Sequence, residues 1–135
     1  MFDSPIPRRV ALGAAVLVGL SGIAPLAFAE GGFNSSLTSV RVGFESRNWY
    51  DGNSDAVQTS VSHYTKCQSG PTSVTYTLYR VRGAWPDVNM GAKSISCAST
   101  GTAYYGDVVS SNYHVTVTGI ASASSVSVAD WRVKF

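Results

Sequence analysis

The sequence predicts an all-β protein, a small antiparallel β-sandwich or barrel-like domain stapled by one disulfide. Apolar residues recur at spacing two with Thr, Ser and Gln between them, the signature of half-buried strands. Clusters of Gly, Pro, Asn and Asp punctuate these runs at short intervals. The chain has 2 cysteines behind an export leader, and an even count in that setting reads as a bridge.

The leader comes first. Arg8 and Arg9 form a basic n-region, Val10 to Ile23 is an apolar run, and Ala27-Phe28-Ala29 is a small-x-small cleavage site. Residues 1–29 therefore read as a signal peptide, not a membrane anchor, and the protein is expected to be secreted and extracellular. Only the two Arg and Leu12 fit a twin-arginine pattern, so general secretion is the expected route. Glu30 to Phe135 remain, one-domain size and too short for two. Removing Arg8, Arg9 and Asp3 from 10 Lys+Arg and 8 Asp+Glu leaves eight against seven, a formal charge of +1. That balance gives no electrostatic basis for binding nucleic acid or an anionic membrane.

Glu30 to Leu37, EGGFNSSL, has the Gly and Ser content of a flexible N-terminal arm with Phe33 as its one anchor-like residue. Residues 38–135 form the single β-domain. Its predicted runs are Val40, Val42, Phe44; then Val57 and Val61 in the stretch ending at Cys67; Val74, Tyr76, Leu78; Ile95 and Cys97; Tyr113, Val115, Val117; and Val126, Val128. No helix is expected. The last run slips phase, from even-numbered Val126 and Val128 to odd-numbered Trp131, Val133 and Phe135. A β-bulge at Ala129 and Asp130 reconciles them. Turns are expected at Gln68-Ser69-Gly70-Pro71, Trp85-Pro86-Asp87, Ser99-Thr100-Gly101, Gly106-Asp107 and Gly119. Cys67 and Cys97 lie too close in sequence for the inter-sheet bridge of an immunoglobulin domain. Trp85, beside a Pro, reads as loop and not as a core strand.

The densest chemistry lies in Asn48-Trp49-Tyr50-Asp51-Gly52-Asn53-Ser54-Asp55. Asp51, Asn53 and Asp55 give the D-x-N-x-D opening of a calcium loop, but Ala56 stands where that loop needs Gly and Ser62 where it needs a bidentate Glu. The stretch is read as a turn or interface loop, with no metal and no cofactor expected. His63 shares the phase of Val57 and Val61 and is expected to pack partly buried, whereas His114 alternates with Tyr113 and Val115 and is expected to face solvent. Neither has a Cys or His partner at ligand spacing. There is no G-x-S-x-G elbow, and Asp51, Asp55, Asp87 and Asp107 all sit in expected turns, so no catalytic residue is assigned.

Strand parity places the loops around Trp49, Trp85 and Gly106-Asp107 at one end, and those at Gly70, Gly101 and Gly119 at the other, with both cysteines. The first end gathers Trp49, Tyr50, Asp51, Trp85 and Asp87, with Tyr104 and Tyr105 nearby. Aromatics beside polar loop residues suit recognition, because large rings give contact area at low entropy cost. Either Trp could instead fold back to close the core.

The leader, the small β-rich chain, the single disulfide and the run Arg47-x-Trp49-x-Asp51-x-Asn53-x-Asp55 resemble small secreted proteins of filamentous actinobacteria. Among these, the chain is similar to the adaptor subunits of umbrella toxin particles. The resemblance implies a non-enzymatic adaptor in a secreted antibacterial complex, joining lectin-type subunits to a large toxin polypeptide through its folded domain and N-terminal arm. The expected partner-binding residues are Phe33, Arg47, Trp49, Tyr50, Asp51, Trp85 and Asp87, and the expected partners are other secreted protein subunits. Two other readings stand beside it. One is a carbohydrate-binding module; the other is a protease inhibitor or small antibacterial protein presenting the loop Ala84 to Asp87.

Overall fold

A computed structural model describes residues 31–52, 57–68 and 70–135. They form eight strands: β1 (Gly32–Val40), β2 (Trp49–Asp51), β3 (Ser60–His63), β4 (Ser73–Arg82), β5 (Trp85–Ser96), β6 (Gly101–Tyr104), β7 (Ser111–Ala121) and β8 (Val126–Lys134). Two four-stranded antiparallel sheets pack as a sandwich, β1-β8-β3-β6 in sheet A and β2-β7-β4-β5 in sheet B. Every connection crosses between sheets except the β4–β5 hairpin. Its two-residue loop has Gly83 at φ +68 and no left-handed Ala84, the type II′ arrangement whose twist suits a hairpin.

The core comes from the predicted alternation. Val61, Val74, Tyr76, Leu78, Tyr113, Val115, Val117, Val126 and Val128 are all buried between the sheets. The expected bulge is present: β1 advances two residues from Ser35 to Leu37 while β8 goes from Trp131 to Val128, so β8 carries the extra residue. Val126, Val128, Trp131 and Val133 all reach the core as a result.

Cys67 follows β3 and Cys97 follows β5, and they are bonded, with Cα atoms 4.7 Å apart. The bridge joins the two sheets and closes a loop of sequence separation 30. Tyr113, near the start of β7, donates its hydroxyl to the Val109 carbonyl at 2.5 Å, a tyrosine corner of the kind that pins strand entry in Greek-key sandwiches.

Several expectations differ, among them the turn at Gly119, which instead lies within β7 and pairs with Thr75. The segment read as a flexible arm is, from Gly32 onward, edge strand β1, paired with β8 from Gly32↔Lys134 to Val40↔Val126. Val42 and Phe44, read as strand, are exposed in a turn closed by Phe44 N–H to Arg41 C=O at 3.0 Å, with Gly43 at φ +104. Trp85-Pro86-Asp87, read as a turn, opens β5.

Candidate functional site

The residues expected to bind a partner divide into a buried group and an exposed group. Trp49 lies on β2, opposite Tyr113 of β7, and is only 5% exposed. It stacks on Phe135 at 5.5 Å and on Tyr113 at 6.3 Å, and meets Phe33 edge-on at 5.9 Å. Phe33 also leans on Trp131 at 6.1 Å, and the Arg47 guanidinium covers its ring at 4.2 Å. These rings close the side of the sandwich where edge strands β1 and β2 face each other. Trp49 is therefore a core plug, which leaves no ring face for a partner. Phe33 is a half-buried wedge, not a free anchor.

Asp51 is also buried, and its Oδ2 accepts from the Thr59 hydroxyl at 3.1 Å. Burial first, and then the Asp51 carboxylate, push the Tyr113 phenol above its ordinary pKa, with Arg80 opposing. Asn53 to Ala56 lie outside the described residues, so the Asn53 and Asp55 readings do too. Among the described residues, no three His, Cys, Asp or Glu side chains gather as a metal site.

The exposed group is Tyr50 and Trp85, at 60% and 68%. Register puts them at one end of sheet B. Tyr50 pairs with Asn112, Asn112 with Val81, and the next residue, Arg82, with Trp85. Three strand spacings separate β2 from β5, so the two backbones are about 14 Å apart. Arg82 is exposed and Arg80 partly so, which adds two guanidinium groups to the same end. The sequence reading missed both arginines, although the β4 period that carries Tyr76 and Leu78 extends to them.

Asp87 belongs to a network on the outer face of sheet B. Its Oδ2 lies 3.0 Å from His114 Nε2, and the His114 ring lies flat on Tyr79 at 5.5 Å and 19°. His114 is 5% exposed, not solvent-facing as expected, because it reaches across β4 to β5. Thr116 Oγ1 is 3.5 Å from His114 Nδ1, and Glu45 completes a recess of about 260 Å³. At that distance the hydroxyl is barely engaged. The Asp87–His114 bond is a strut, tying the base of the hairpin that presents Trp85 to the central strand β7.

His63 packs as expected and further in, at 1% exposure. Its Nε2 is 2.7 Å from the Tyr76 hydroxyl, and its Nδ1 is 3.8 Å from Cys67 Sγ. Burial lowers its pKa to about 4. It is a neutral core group beside the disulfide.

Comparison of the chain with protein-family models, with curated proteins and with solved structures finds no match.

Proposed function

We propose that the protein is a secreted, non-catalytic binding module that docks another exported protein through the end of sheet B bearing Tyr50, Arg80, Arg82 and Trp85. The carrying observation is that Trp85 and Tyr50 are 68% and 60% exposed while their backbones are held in paired strands. Trp, Tyr and Arg are the side chains that concentrate binding energy at interfaces. By register Tyr50 shares the face of Val81 and Trp85 the opposite face with Arg82, so a partner engages both rings by covering the end of the sheet and not one of its faces. The II′ turn, Pro86 and the Asp87–His114 strut restrict the hairpin before binding, so little ordering entropy is lost on docking.

An assembly role in a secreted complex, joining other protein subunits, is the biological form this reading takes. The sandwich offers separate ends and faces for separate partners, and the leader sends the chain to the compartment where a disulfide persists. The test is affinity capture from the producing strain's culture supernatant. Wild type should retain a defined secreted protein that Trp85→Ala loses and Thr100→Ala keeps. Equal capture by all three would overturn the reading.

A further inference from the structure

The outer face of sheet A carries a second feature, on the other layer of the sandwich from Trp85, with its Tyr104 end beside the Asp51–Thr59 contact. Ser60, Ser62 and Tyr64 alternate outward along β3 and just beyond it. Ser60 pairs with Tyr104 on one side and Lys134 on the other, and Ser62 with Thr102 and Arg132. Small side chains on the central strand, flanked by long ones, make a trough of about 330 Å³. This lies at the lower end of the range for small-ligand sites, roughly 300–1,000 Å³.

The floor is made of hydroxyls, of which Thr102 is exposed while Ser60 and Ser62 are only 5% and 7% exposed beneath their longer neighbours. Ser62 Oγ and Thr102 Oγ1 are 2.8 Å apart, and Ser60 Oγ has no side-chain partner among the described residues. The apolar neighbours Val61, Ala103 and Val133 turn into the core, which leaves Val57, 41% exposed, as the aliphatic side chain lining the trough. The walls are two tyrosines, Tyr64 at 51% and Tyr104 at 58% exposure. One face of Tyr64 is covered by the Arg132 guanidinium at 3.9 Å, itself held by Asp130 through bonds of 2.8 and 2.9 Å. That clamp fixes the ring and spends the Arg132 charge. Lys134 has no salt-bridge partner among the described residues, so the trough keeps a net cation.

We propose that this trough binds a segment of an acidic polysaccharide. The tyrosine rings take the C–H faces of successive sugars, and the exposed Thr102 hydroxyl, backed by Ser62, pairs with sugar hydroxyls. The Lys134 ammonium pairs with a uronate carboxylate. Tyr64 and Tyr104 stand about 13 Å apart along the strand direction, a span of a few sugar residues. An extended glycan, not a single small sugar, therefore fits the distance.

The test is affinity electrophoresis and calorimetry of the mature protein with polygalacturonate, alginate and hyaluronan, and with methyl-esterified polygalacturonate as the uncharged control. At least one uronate polymer should bind. Tyr104→Ala should weaken that binding tenfold or more without changing the melting temperature. Lys134→Gln should abolish the preference for the acidic over the esterified polymer, and Trp85→Ala should have no effect. Absence of binding to all three acidic polymers would overturn the proposal. So would binding that survives Tyr104→Ala and disappears only with salt, since that reports diffuse attraction to a basic surface.

Discussion

Acid should weaken the fold through His63, by an amount its burial sets. The imidazole is 1% exposed, wedged between the disulfide and Tyr76, and holds its proton only below about pH 4. In the unfolded chain it takes up a proton near its ordinary value of 6.5. Between those values the unfolded state binds the extra proton, so stability falls as pH drops through this window. Below pH 4 both states are protonated and the penalty stops growing. A gap from 6.5 to about 4 corresponds to about 3 kcal/mol at 1.36 kcal/mol per pH unit, a large part of a small domain's stability. Urea melts at half-unit steps from pH 7.5 to 3.5 measure it. His63→Phe should be less stable at neutral pH, since it strips the buried Tyr76 hydroxyl of a partner at about 1–3 kcal/mol. Its stability should nevertheless fall less between pH 6.5 and 4, and the slope is the readout. Equal slopes in both proteins would refute the assignment of acid lability to this side chain.

Further expectations concern the scaffold. The unreduced protein should weigh two hydrogens less than the dithiol form, and Cys67→Ala should cost roughly 2–5 kcal/mol by opening a loop that spans both sheets. Trp49→Ala should cost about 3–5 kcal/mol in chemical denaturation, because it empties the space among Phe33, Tyr113 and Phe135. Trp85→Ala, at a surface position, should stay within about 0.5 kcal/mol of wild type in the same assay. Deleting Gly31 to Leu37 should lower the melting temperature sharply, since it removes most of β1 and uncovers Trp131; an unchanged melt would mean that β1 adds nothing to the fold.

What the sequence disclosed follows from how local each cause is. The sandwich, the disulfide and the β8 bulge were legible because each is written in a period or its slip: Val126 and Val128 against Trp131 and Val133 permit few other solutions. Strand β1 was not legible. Only Phe33 and Leu37 are apolar before its last residue, Val40, and its register shifts on both sides of Leu37 destroy any period. Val42 and Phe44 show the converse, alternation without burial, because Gly43 and the Arg41 carbonyl turn the chain there. Trp49 lies in a strand of three residues and owes its burial to Phe33 and Phe135, from opposite ends of the chain. His114 is covered because Asp87, 27 residues away, lies within its reach. The exposure of Tyr50 and Trp85 was an open alternative in the sequence, since a ring beside a turn can point either way. Their shared end followed from parity, which survived the errors in strand count because β2 and the β4–β5 hairpin both lie at that end.

The central claim is that the Tyr50–Trp85 end docks a protein. Its most direct measurement is the Kd of the captured secreted partner for wild type, Tyr50→Ala, Trp85→Ala and Thr100→Ala, each first shown by circular dichroism to be folded. Losses of about 2 kcal/mol or more, roughly thirtyfold in Kd, are predicted for at least Trp85→Ala, with Thr100→Ala unchanged. Full affinity in both aromatic variants, with the loss appearing instead at Thr100, would place the interface at the opposite end and contradict the account.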